Sequence, residues 1–201
     1  MKSREFFDDY VKSFLNQNSK LNLISKNDEK FLWEKHIFDS LSIEKFFEHG
    51  YEIPQTLLDI GTGGGFPSVP VALAYPQVKV YALDSIRKKI SAIENIKSDL
   101  EIENLFPICE RAENLKVEYE NFFDVITCRA VAPLKVISNY AFPLLKTGGF
   151  FVAYKSLRVD DEIEDAKEAF KKLSIKVTEV IKYKLPTEEN HDRNLVVMQR
   201  K

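Results

Sequence analysis

Leu57-Leu58-Asp59-Ile60-Gly61-Thr62-Gly63-Gly64-Gly65-Phe66-Pro67 is the stretch on which the reading of this chain turns. A short apolar run enters a glycine-rich turn, and Pro67 then opens a helical pattern over residues 67–75, where early N–H groups lack intrahelical acceptors and proline is tolerated. In a doubly wound sheet, such a strand-to-helix turn lies at the edge where ligands bind. Glycines at 61, 63 and 65 permit backbone angles closed to other residues and let a flat or bulky group approach the main chain, so the loop reads as a cofactor seat. A turn that needs glycine for its backbone alone is the competing reading. The fingerprint G-x-G-x-x-G would require glycine at Phe66, and G-x-x-x-x-G-K-[ST] has no counterpart, so the pattern favours a cofactor without a pyrophosphate.

Outward from this stretch the texture repeats. Residues 56–60, 78–83, 104–109, 123–128 and 148–154 are β-rich runs, with helical patterns over 67–75, 86–100, 133–145 and 160–173 between or after them. Five strands alternating with helices predict an α/β fold around a mostly parallel sheet. Residues 174–185 and 194–201 read as a closing antiparallel hairpin across the polar turn at 186–193. Phe7, Tyr10, Val11, Phe14 and Leu15, then Leu32, Trp33, His36, Ile37 and Leu41, recur at helical spacing. Residues 1–50 are therefore expected to form a helical extension, and 51–201 one compact cofactor-binding unit.

A chain of 201 residues, 44% hydrophobic and 30% charged, suits this plan, and its formal net charge of -2 means that any footprint for nucleic acid must be local. The charged start lacks the apolar core of a signal peptide, and no stretch approaches the roughly 20 apolar residues of a membrane helix, so a soluble, cytoplasmic protein with no membrane partner is expected. Cys109 and Cys128 form no C-x-x-C pair and no metal-ligand spacing stands out, so no metal is expected.

Four successive strand ends carry candidate groups. Gly61, Gly63, Gly65 and Phe66 follow the first strand, and Asp84 ends the second, where a carboxylate can accept from both hydroxyls of an adenosine ribose. Helix N-capping is the alternative for Asp84. Ala112 and Glu113 follow the third strand, and Arg129 follows the fourth. Lys155, Arg193, Arg87, Lys88 and Lys89 are candidates for a local patch that holds nucleic-acid phosphate, with solvated surface lysine or arginine as the alternative.

The motifs LNLIS, His36-x-x-Asp39-Ser40-Leu41, DIGTGGGFP, LDSIRKK, ERAENL, FDVITCRAVAPL, PLLKTGG and the terminal RNLVVMQRK give the chain a nearly full-length resemblance to the bacterial glucose-inhibited division protein B family of small-subunit ribosomal RNA guanine-N7 methyltransferases. The resemblance implies a Rossmann-like class I methyltransferase with a seven-stranded sheet and a helical N-terminal extension. It also implies S-adenosyl-L-methionine as cofactor, with contacts at Gly61, Phe66, Ala112, Glu113 and Arg129. The implied partner is 16S ribosomal RNA near the decoding region, in the small subunit or an assembly intermediate. Ser68 and Ser156 stand where family members usually carry glycine.

Guanine N7 has an exposed lone pair at neutral pH, so attack on a sulfonium methyl needs no general base and positioning supplies most of the catalysis. His36, Asp39 and Ser40 share one helical face and read as a buttress between extension and sheet rather than a triad. Arg129 is the candidate for substrate and cofactor positioning, with a surface ion pair as its alternative. Guanine O6 is its sensible target, because donation to N7 would consume the attacking lone pair. A methyltransferase acting on a small molecule or protein, a noncatalytic RNA-binding assembly factor and a nicotinamide oxidoreductase are the competing functions.

Overall fold

The computed structural model describes residues 1–156, 159–188 and 191–201. Seven strands form one sheet in the order β3-β2-β1-β4-β5-β7-β6, with β1 Thr56–Ile60, β2 Lys79–Asp84, β3 Leu105–Cys109, β4 Phe123–Arg129, β5 Leu145–Lys155, β6 Ile175–Lys184 and β7 Asp192–Arg200. The first five run parallel, and β7 pairs antiparallel with both β5 and β6. Buried runs such as Leu57–Ile60 are expected of strands covered on both faces by helices.

Parallel pairing delivers the ends of β1 to β4 to one edge. Ile60 lies opposite both Leu83 and Cys128, Asp84 opposite Cys109, and Arg129 opposite Tyr154. The edge is divided at β1, where the chain order reverses, which is where an open α/β sheet leaves a crevice.

Helices Ser68–Ala74, Arg87–Asp99, Leu134–Ala141 and Val159–Lys172 fall within a residue or two of expectation, except that the third ends early. The chain there tightens into a 3-10 turn, Phe142–Leu144, because Pro143 has no N–H to continue the α-helix. Residues 189 and 190 of the expected 186–193 turn lie outside the described residues.

The first fifty residues form the helix Asp8–Leu21, short helical turns at Lys26–Glu29, Phe38–Leu41 and Glu44–Glu48, and a π-helical turn at Leu32–Ile37. Asn18 organises the first corner: its Oδ1 accepts from Ile24 N at 2.8 Å and its Nδ2 donates to Glu29 at 2.7 Å, while Asn22 closes the helix in the left-handed region. Phe7, Tyr10, Phe14, Ile37 and Leu41 are buried in the same apolar cluster as Val80, Leu105 and Val197 of the sheet. Tyr154 Oη of β5 donates to Ser40 O at 2.8 Å, and Tyr183 Oη of β6 donates to Asp39 at 2.7 Å, so the extension is bonded to the sheet as well as packed on it.

Candidate active site

Two clefts open at the strand-end edge, divided by residues Ala130–Ala132, which line both. The smaller, about 310 Å³, has apolar walls from Ile60, Leu83 and Ile137, with the carboxylates of Asp84, Glu110 and Glu113 around it. The larger, about 980 Å³, lies between the extension, the loop after β4 and the helix Val159–Lys172.

Asp84 organises the glycine loop. Its Oδ2 accepts from Gly63 N at 3.0 Å and its Oδ1 from Ile86 N at 2.9 Å, with Lys89 Nζ 3.5 Å away. The side chain therefore ties the loop after β1 to the turn before the next helix, and each oxygen has the capacity to accept a further hydrogen bond in the cleft that Asp84 lines. Gly61, at φ +72, lies directly beneath Val131: a Cβ there would sit 2.5 Å from Val131 Cγ2. Beneath the loop, burial pushes the Asp59 carboxyl up to about 6 against the lowering effect of Thr62 and Thr127, and Thr127 Oγ1 donates to Asp59 Oδ1 at 3.0 Å.

Of the sequence-derived cofactor residues, Gly61, Asp84, Ala112 and Glu113 line the smaller cleft. Gly63 reaches it through its bond to Asp84, whereas Gly65 packs against Val69 of the following helix. The Phe66 ring is buried away from both clefts, among the rings of Tyr10, Phe14 and His36.

Arg129 faces the larger cleft, with its guanidinium 5.3 Å from the Phe66 ring centre. It donates to Asp39 Oδ2 at 3.0 Å, to Lys35 O at 3.2 Å and to His36 Nδ1 at 3.2 Å. The ion pair joining Arg129 to Asp39 is an interior one, with side chains only 17% and 6% exposed. Because a guanidinium only donates, His36 Nδ1 accepts and the ring is neutral; burial and the Arg129 charge together lower His36 to about 4.

The phosphate candidates divide. Arg87, opposite Glu94 at 3.9 Å, and Lys88 are exposed and are not among the described residues that line either cleft. Arg193 lines that cleft and donates to Asp192 O. Lys155 lines it too, but its Nζ is held by Glu162 Oε1 at 2.6 Å and Ala132 O at 3.1 Å. Lys89 is part-exposed and lies at the smaller cleft, beside Asp84. Sequence reasoning passed over Glu110 and Val131 as cleft residues, although the motifs ERAENL and CRAVAPL contain them. Ser68 is buried with its Oγ 2.5 Å from Thr62 Oγ1, so its hydroxyl has a partner, while Ser156 offers Asn194 Nδ2 only its backbone carbonyl, at 2.8 Å, as glycine would.

The model of the family described as GidB, rRNA small subunit methyltransferase G, matches residues 3–196. The chain belongs to that family. It is 37% identical over 199 residues to the Ribosomal RNA small subunit methyltransferase G of Staphylococcus aureus (strain JH9), an alignment spanning 98% of this chain and 82% of that one. Its fold is similar to that of precorrin-6y C5,15-methyltransferase from Geobacter metallireducens GS-15, with TM-score 0.61 and 15% identity over 90% of this chain and 92% of that one. It is also similar to M. jannaschii TYW2 in complex with AdoMet, with TM-score 0.58 and 21% identity over 80% and 76% of the two chains. The Rossmann-like class I fold is thereby shown. In this member of the rRNA small subunit methyltransferase G family, the carboxylates of Asp84, Glu110 and Glu113 outnumber the cations Lys89 and Arg111 in the smaller cleft, which suits a ligand with a ribose diol and positive charge.

Proposed function

We propose that this chain transfers the methyl group of S-adenosyl-L-methionine to N7 of a guanosine in 16S ribosomal RNA, within the small subunit or an assembly intermediate. The observation that carries the reading is a family match over nearly the whole chain, joined to a diol-accepting cleft at the ends of β1 to β3 beside a larger, open one. Residues 1–50 are taken as the helical extension and 51–201 as the cofactor-binding unit, and the site of action as the cytoplasm; no described helix is long and apolar enough to cross a membrane.

S-adenosyl-L-methionine supplies a methyl group on a sulfonium, an electrophile that an unprotonated ring nitrogen attacks directly. The chain's residues have the tasks of holding and orienting. Asp84 keeps the glycine loop and the turn after β2 together and offers lone pairs to a ribose, with Gly61, Ala112 and Glu113 as neighbouring contacts. Arg129, paired with Asp39 and bonded to Lys35 O and His36 in the extension, is fixed at the larger cleft, where a remaining guanidinium N–H suits guanine O6. His36 is neutral and poorly basic, in keeping with a reaction that needs no proton removed.

The test is transfer of labelled methyl to small ribosomal subunits lacking the modification, followed by mapping of the labelled nucleoside. Label at one guanine N7 is the expected outcome. Cofactor binding with no label on the subunit, or label on a small molecule or protein instead, would overturn the assignment.

A further inference from the structure

The loop that divides the two clefts is held by two charged side chains outside the cofactor site. Lys155, at the end of β5, donates to Ala132 O at 3.1 Å and to Glu162 Oε1 at 2.6 Å; the same oxygen accepts from Leu134 N at 2.7 Å. One ammonium and one carboxylate thus grip the loop at two points, a carbonyl and an amide two residues apart. Leu134 opens an α-helix, so its N–H has no intrahelical acceptor and a carboxylate there also meets the positive end of the helix.

That loop needs holding. Ala130 sits at φ +54, a conformation unfavourable for a residue with a Cβ, and the Val131 side chain lies against Gly61. Because Ala130–Ala132 line both clefts, their position sets the passage between a bound methyl donor and the base that accepts it. We propose that Lys155 and Glu162 are positioning residues that clamp this loop for methyl transfer, and that Lys155 is not a phosphate ligand. The proposal rests on the methyltransferase reading given above.

The surroundings argue against phosphate at Lys155. Its side chain is only 14% exposed and its charge is matched by Glu162, while Asp161 and Asp165 line the same cleft. A phosphate drawn to Lys155 would have to displace Glu162 from 2.6 Å, and breaking that pair would leave Glu162 part-buried beside a second anion, whereas Arg193 in the same cleft is free of that cost.

Lys155→Met and Glu162→Ala separate the two roles when unmodified small subunits are the substrate. The clamp predicts that both variants keep the wild-type affinity for subunits and its salt dependence while kcat falls about tenfold to a hundredfold, the cost of misplacing reacting groups by about 1 Å. It also predicts that the double variant is no worse than the poorer single one. A phosphate contact predicts that Lys155→Met weakens binding and reduces the salt slope by about one, whereas Glu162→Ala frees the lysine and tightens binding; that pattern would overturn the proposal. Amide exchange at Leu134 in the free protein supplies a readout independent of cofactor and RNA: Glu162→Ala should accelerate it at least tenfold, and unchanged exchange would refute the clamp even if the wild-type chain transfers no methyl. Lys155→Met preserves the bond from Leu134 to Glu162, so its kcat and salt slope decide the matter should Glu162→Ala fail to fold.

Discussion

Replacing Gly61 by alanine should cost this protein stability and cofactor affinity for two separable reasons. The first is conformational: at φ +72 a residue with a Cβ loses about 1–2 kcal/mol relative to glycine. The second is steric, because the new Cβ would stand 2.5 Å from Val131 Cγ2 and 3.2 Å from Cγ1, so the valine must move into one cleft or the other. Gly50 provides the control: at φ +92, with nothing within 4 Å of a Cβ, Gly50→Ala carries the conformational cost alone. At about 2–4 °C per kcal/mol for a chain of this size, Gly50→Ala should lower Tm by about 2–8 °C, and Gly61→Ala by more. Calorimetric titration with S-adenosyl-L-methionine should show at least a tenfold weaker Kd for Gly61→Ala and no change for Gly50→Ala. Val131→Ala removes both clashing methyl groups, so combining it with Gly61→Ala should restore most of the lost affinity and give a coupling of about 1 kcal/mol or more. Equal Kd values for the Gly50 and Gly61 variants, or additivity in the Gly61–Val131 cycle, would refute the reasoning.

Asp84→Ala should free the glycine loop by removing its bonds to Gly63 N and Ile86 N, weakening cofactor binding by about tenfold or more at about 1.5–3 kcal/mol per charged hydrogen bond lost; Kd by titration checks it. Asp39→Asn leaves the Arg129 guanidinium in the interior without its counter-charge, so denaturant unfolding should show a loss of about 3–5 kcal/mol. Two buried groups give opposing pH dependences. His36 is lowered from 6.5 to about 4, so the stability from burying it neutral is present above 6.5 and disappears as pH falls toward 4, about 3 kcal/mol in all. Asp59 is raised from 3.8 to about 6, so its contribution is complete below 3.8 and is lost as pH rises through 6, again about 3 kcal/mol. Between pH 4 and 6 the two largely cancel; His36→Asn should make stability fall with rising pH there relative to wild type, and an unchanged profile would contradict the burial account.

The alternation of short apolar runs with helical stretches, and the glycine loop between β1 and its helix, were legible because each depends on neighbours in sequence: strand and helix periodicity, and backbone angles open only to glycine. The break of the helix at Pro143 followed from the same local chemistry, although the expected span ran past it to 145. Gly61, Asp84, Ala112 and Glu113 come together in one cleft, as expected, because strand ends in a parallel sheet share an edge, so sequence position implies spatial position.

Local pattern in the chain therefore sets its strand-and-helix plan, its family resemblance and the sheet edge at which the candidate groups gather. Tertiary structure alone decided where the long side chains of that site point. Phe66 sits in the cofactor loop by sequence, yet its ring is taken into the aromatic cluster of the extension. Arg129 ends a strand, yet it is bound by Asp39 and His36, some ninety residues earlier in the chain. Lys155 reads as a free cation until the helix Val159–Lys172 brings Glu162 against it. The physical reason is that backbone periodicity is a local property, whereas the partner of a buried charge is chosen by desolvation, and desolvation depends on which distant segments close over it.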